Sequence, residues 1–133
     1  MIGLDTNVLL RLLLGDDARQ EVAAGRLFAT ATRDGTPLFV SDAVLCEISW
    51  VVRRQYRFDR ARTANLLLEV VQTAGVVVVD SGAVERAIRD YRAGAGDFSD
   101  YLIRERALAA GATEIVTFDR ILKREHSVRV LGA

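Results

Sequence analysis

The feature that most narrows the folds open to this chain is an alternation of period. Short apolar runs recur between longer stretches whose apolar residues return every three or four positions. Ile2 to Leu4, Leu38 to Val40, Val76 to Val79, Ile115 to Thr117 and Val128 to Leu131 read as strands. Val76–Val79 is the clearest, a run of β-branched residues only. Helical patterns fill the gaps, over about 7–14, 17–33, 42–56, 59–74, 81–91, 98–110 and, briefly, 119–125. Strand and helix in turn argue for an α/β fold with a mostly parallel sheet.

Local signals punctuate these elements. Gly15, Gly75 and Gly111 stop helices, Asp34-Gly35-Thr36-Pro37 is a turn, and Ala93-Gly94-Ala95-Gly96 breaks a helical pattern. Asp16, Asp17, Asp42 and Asp59 stand where helices begin and read as caps, as does Asp97 before Phe98. Val44, Leu45, Ile48, Val51 and Val52 form one inner face, and Leu66, Leu67, Val70 and Val71 another. Trp50 and Cys46 read as packed core, and His126 as a surface residue near the last strand.

At 133 residues and 50% hydrophobic content, residues 1–133 should form one domain with a proper core. The formal net charge of zero argues against a globally basic nucleic-acid binder. It leaves room for a local basic rim, for which Arg53, Arg54, Arg57, Arg60 and Arg62 are candidates, with Arg11, Arg120 and Lys123 near the helix starts. The single cysteine cannot form an internal disulfide. No secretory leader and no apolar run near the ~20 residues of a membrane span is visible. The expectation is a cytoplasmic protein with no membrane contact.

The acids carry the chemistry. Asp5 follows the first strand, and Glu47 lies six positions past Ser41 on the helix after the second. Asp97 and Asp100, three apart and so on one helical face, open the helix after the glycine-rich break. Asp119 comes two residues after Thr117. Four strand-to-helix segments thus deliver carboxylates toward the edge where α/β sheets bind ligands. Gathered carboxylates repel unless a cation offsets them. Oxygen-only donors select Mg2+ or Mn2+ over zinc, and one His and one Cys are too few for an ordinary zinc site. The chemistry such a cup most naturally serves is phosphodiester hydrolysis by metal-activated water.

Asp5-Thr6-Asn7 after a short strand, Glu47 on the third helix, Asp97-Phe98-Ser99-Asp100 with Leu102-Ile103, and Thr117-Phe118-Asp119 together resemble the PIN-domain family, most closely its VapC-type toxins of type II toxin–antitoxin pairs. The resemblance covers essentially the whole chain. It implies a three-layer α/β/α fold and a metal-dependent endoribonuclease that acts on RNA, is blocked by a cognate antitoxin and forms a homodimer. The family's acids fall on Asp5, Glu47, Asp100 and Asp119 as catalytic residues and metal ligands, with Asp97 as a neighbouring acid. Thr6, Asn7 and Thr117 match supporting positions whose polar groups orient acids or water, Asn7 toward Asp5.

Two other readings compete. A phosphatase of the haloacid dehalogenase type also starts from an acid after strand one, but wants a second acid where this chain has Asn7, and a placed lysine where it offers only Lys123. A non-catalytic α/β binding module would leave the same acids as caps and surface charges.

Overall fold

Residues 1–132 are described by a computed structural model; Ala133, the last residue of the expected domain, lies outside them. Ile2–Gly3 (β1) pairs in parallel with Leu38–Phe39 (β2), and β2 pairs in parallel with Val76–Val77 (β3). Ile115–Thr117 (β4) pairs in parallel with Val128–Val130 (β5) as a second ribbon. Every pairing is parallel, as expected, and each connection between paired strands runs through helix. Helices and parallel strands together make the expected three-layer α/β/α arrangement.

The helices are Thr6–Leu14 (α1), Ala18–Asp34 (α2), Asp42–Arg54 (α3), Arg60–Gln72 (α4), Ser81–Ala93 (α5) and Phe98–Ala109 (α6). Their starts follow cap chemistry: Asp17, Ser41 and Asp59 accept from backbone N–H groups one turn on. Two of the aspartates read as caps do other work. Asp42 sits inside α3 behind the true cap, Ser41, and takes a two-point ion pair from Arg106 at 2.8 Å per bond. Asp16 is bound by Arg11 and by the Tyr56 hydroxyl.

The inner faces are largely those the periodicity indicates. Leu66, Leu67, Val70 and Val71 are all buried, as are Leu45, Ile48 and Val52, with Val44 and Val51 at the margin. Three expectations are corrected. The valine run forms a paired strand only at Val76–Val77; Val79 is 59% exposed and its carbonyl accepts from Arg106 rather than from a neighbouring strand. Trp50 is 42% exposed, because it falls on the outer side of α3 between the buried Ile48 and Val52. The expected helix over 119–125 shrinks to one 3-10 turn, Arg120–Leu122.

Beneath the α5–α6 pair lies a buried charge. Arg104 is 1% exposed and is paired with Asp90, with Glu105 at 3.5 Å and Glu125 at 3.9 Å. His126 stands 3.4 Å from the same Asp90. Periodicity gives no warning of this network, since Asp90, Arg104 and Glu125 are distant in sequence.

Candidate functional site

The carboxyl ends of β1, β2 and β4 lead toward Asp5, Glu47 and Asp119, whereas Asp97 and Asp100, expected after a strand, follow the helix α5 across the glycine break. Asp5 follows β1 as the N-cap of α1, and Ser41, one residue past Val40 at the end of β2, caps the helix carrying Glu47. Asp97 is the N-cap of α6, with Asp100 in its first turn, and Asp119 caps the 3-10 turn after β4.

Capping and ligation, which from sequence compete for the same carboxylates, divide here by oxygen atom. One oxygen of Asp5 (Oδ1) accepts from the Thr6 N–H at 2.8 Å. Asp100 Oδ2 accepts from the Asp97 N–H at 2.9 Å, and Asp119 Oδ1 from the Ile121 N–H at 3.0 Å. In each case the second oxygen takes no hydrogen bond among the described residues. A short local bond therefore fixes each carboxylate and leaves one oxygen to face outward.

Asp100, Asp97 and Asp119 are electrostatic neighbours. Burial, more than anything, pushes the Asp100 carboxyl above its usual range; the Asp97 N–H opposes this, while the charges of Asp97 and Asp119 add to it. Such crowding is what a cation would relieve. Glu47 is exposed on α3 and lines a groove with Ser99, Leu102 and Ile103 of α6. On the other flank of Trp50, Asp97 and Phe98 share a niche with Arg53, Arg54 and Arg60. Trp50 borders both hollows.

Among the described residues no three acidic, His or Cys side chains already close on a point that would hold an ion. The charges of Asp97 and Asp119 reach Asp100, Glu47 lines a groove beside the α6 start, and Asp5 caps α1. The donors present nonetheless fit a hard divalent ion. They are all oxygens, and an ion that keeps several of its own waters suits a cup that is open rather than clasped.

The supporting residues behave individually. Thr6 is 2% exposed, and its hydroxyl is buried without a partner, a cost offset only if something polar arrives beside Asp5. The Thr117 hydroxyl accepts from the Asp119 N–H at 3.0 Å, setting the turn that presents Asp119. Asn7 is exposed and makes no hydrogen bond to Asp5, whose partner is the Thr6 N–H instead. Cys46 is half-buried, and burial, with the charge of Asp42, pushes its thiol up to about 11, which leaves it inert at neutral pH.

Sequence reasoning passed over Tyr101 and gave Arg60 a place in a basic rim rather than the role it has here. Tyr101 is 1% exposed, yet its hydroxyl accepts from the Gly96 N–H at 3.1 Å and donates to Glu125 at 2.9 Å. Arg60 donates to the carbonyls of Tyr91 at 2.8 Å and Gly96 at 2.7 Å, its guanidinium lying 4.5 Å from the Tyr91 ring centroid. The only sequence signal for either was the glycine pair they pack against.

Comparison with known proteins identifies the family. The family model described as PIN domain matches residues 2–125. The chain is also similar to a VapC ribonuclease of Aquifex aeolicus (strain VF5), 27% identical over 121 residues, which cover 91% of this chain and 89% of that protein. No helix among the described residues is long and apolar enough to cross a membrane.

Proposed function

The chain belongs to the PIN-domain family, and from that premise we propose that it is a Mg2+- or Mn2+-dependent endoribonuclease, the toxin of a cytoplasmic toxin–antitoxin pair. The observation that carries the reading is the division of labour within the acids. Asp5, Asp100 and Asp119 each spend one oxygen on a local N–H and keep the other available. Caps alone would not gather beside Asp100 at a cost to its ionisation. The similarity to a VapC ribonuclease supports RNA as the substrate.

When bound, the divalent ion supplies a Lewis acid for the scissile phosphate and lowers the pKa of a water beside it. Asp5 and Asp100 are the principal ligands in this reading, with Glu47 contributing directly or through water. Asp119 completes the site, and Asp97 adds negative charge at its border while its N–H steers Asp100. The Thr6 hydroxyl, buried without a partner, is suited to bond a water beside Asp5.

RNA would leave this cup along the outer side of α3. Glu47, Trp50 and Arg54 follow one another at spacings of three and four, a stripe about 10 Å long. An exposed indole can stack on an unpaired base, and Arg54 and Arg53 can meet the following phosphate. The cognate antitoxin fits the neighbouring hollow of about 560 Å³ between α3 and α6, which is apolar at Cys46, Leu102 and Ile103 and charged at Asp42, Glu47 and Arg106. A homodimer belongs to the same reading and is tested by light scattering.

The test is cleavage of a structured RNA with Mn2+, with and without chelator, by wild type and by the Asp5→Asn and Glu47→Gln variants. Cutting that needs the metal and fails in both variants is expected. Cutting that persists in the variants would trace to a contaminant and remove the assignment.

A further inference from the structure

We propose that the Tyr101 hydroxyl and the Glu125 carboxylate form a strap joining the two acid-bearing turns, and that this strap sets how Asp100 presents its free oxygen to a divalent cation. The proposal rests on the metal-dependent reading above. It makes Tyr101 and Glu125 positioning residues, neither of them a ligand.

The direction of the strap follows from the atoms. A carboxylate has no proton to give, so the phenol donates to Glu125 Oε1 at 2.9 Å. Its lone pair then accepts from the Gly96 N–H at 3.1 Å. The next peptide group is held at both polar ends. The Gly96 carbonyl accepts from Arg60 at 2.7 Å, and the Asp97 N–H donates to Asp100 Oδ2 at 2.9 Å. The orientation of the Asp100 carboxylate therefore depends on one N–H, whose peptide is pinned by Arg60 and follows directly on the one that Tyr101 holds.

The other end of the strap reaches the second turn. Glu125 lies three residues beyond the 3-10 turn that Asp119 caps. Leu122, 2% exposed, closes the gap between them by packing against Gly96, where an added Cβ would collide with its side chain. A Cβ at Gly94 would overlap the Tyr101 hydroxyl itself. Gly94 is thus a space cleared for the phenol, and Gly96 one cleared for Leu122. Packing alone would be served as well by phenylalanine. A buried hydroxyl with a partner on each side, one in each acid-bearing turn, is what packing does not require.

Glu125 is in turn kept near a cation. The buried Arg104 lies 3.9 Å from Glu125 Oε2, and its guanidinium is 5.4 Å from the Tyr101 ring centroid. The strap therefore lies beside the most buried charge among the described residues.

The experiment is calorimetric titration of the RNA-free full chain with Mn2+, alongside thermal denaturation. The variants are Tyr101→Phe, Glu125→Ala, their double, and Glu125→Gln, whose amide oxygen can still accept the bond. Tyr101→Phe and Glu125→Ala should each weaken Mn2+ binding about 10-fold, the low end of what losing an outer hydrogen bond costs a metal site. The double should be no weaker than either single, because the two groups act as one unit. Glu125→Gln should stay within about 2-fold of wild type on the same grounds. Leu67→Ala, far along the chain in the core of α4, should lower Tm and leave the Mn2+ affinity alone, which separates positioning from loss of stability. Unchanged affinity in Tyr101→Phe or Glu125→Ala, or additive losses in the double, would overturn the strap while leaving the metal reading intact. A wild type that binds no Mn2+ would overturn the metal reading and the strap with it.

Discussion

Removing the carboxylate of Asp90 while leaving Arg104 in place should be among the most damaging surface-adjacent substitutions in this protein. Arg104 is 1% exposed, and two of its guanidinium nitrogens already lack hydrogen-bond partners. Its bond to Asp90 is the short one; Glu105 at 3.5 Å and Glu125 at 3.9 Å are too distant to take its place. Stripping a buried charge of its partner costs about 3–5 kcal/mol. The Asp90 side chain keeps 21% of its accessibility, so water can reach the gap and about 3 kcal/mol is the appropriate end of that range. For 133 residues at about 2.1 cal/mol/K each, the unfolding entropy is about 0.28 kcal/mol/K, and Tm should fall by about 11 °C in Asp90→Ala.

Thermal and urea denaturation at pH 7 measure this, with two controls. Arg104→Met removes the charge itself and should cost less than Asp90→Ala. The double variant should recover to within about 1 kcal/mol of wild type, since no orphaned charge remains. The pH dependence has a definite sign. Burial pushes the Asp90 carboxyl up, but the hydrogen bond and charge of Arg104, with Arg89, outweigh it and hold the group below 3.8. The pair's contribution is thus complete above pH 3.8 and is lost as pH falls through the lower folded value, so wild type and Asp90→Ala should converge in strong acid. A loss below about 1 kcal/mol at pH 7, or a double variant no better than Asp90→Ala, would refute the reasoning.

Asp100 should show the opposite sign. Its carboxyl is raised in the folded state, mainly by burial, so the folded protein holds that proton more tightly and loses stability as pH climbs from 3.8 through the folded value. Asp100→Asn keeps an acceptor for the Asp97 N–H and removes the charge. Without metal it should melt higher than wild type at pH 7, by about 2 °C given solvent screening, and the gain should vanish below about pH 4. Saturating Mn2+ should reverse the order. No gain at pH 7 would count against the crowding of these acids. On α3, Trp50→Ala should raise KM for single-stranded RNA about 5-fold with kcat nearly constant, about 1 kcal/mol of lost stacking. Arg54→Ala should flatten the salt dependence of binding by about 0.7 in log–log slope. An unchanged KM in Trp50→Ala would remove α3 as the substrate track.

What the sequence settles by itself is whatever acts within a few residues. Burial of Leu66, Leu67, Val70 and Val71 follows from helical spacing, because one face of α4 has nowhere apolar to go but inward. Asp17, Ser41 and Asp59 cap helices because a short side chain can reach its own helix's first N–H groups in any context. The acids Asp5, Asp97, Asp100 and Asp119 were legible as candidates for the same reason, since each sits where a helix begins. Whether a cap is only a cap depends on what faces its second oxygen, and that neighbour lies on another element.

Tertiary structure decided the rest. Val79 leaves the sheet because Arg106, paired with Asp42 on α3, takes its carbonyl. Trp50 turns outward because Ile48 and Val52 already fill the inner side of α3. Arg104 can be buried only because Asp90, Glu105 and Glu125 converge on it from three places in the chain. The Gly94–Gly96 break looks from sequence like a helix stop, and only the fold shows the phenol of Tyr101 filling the space at Gly94 and Leu122 that at Gly96. Hydrogen bonds and charge pairs act over a few ångströms with no regard for sequence separation, so a local pattern carries no trace of them.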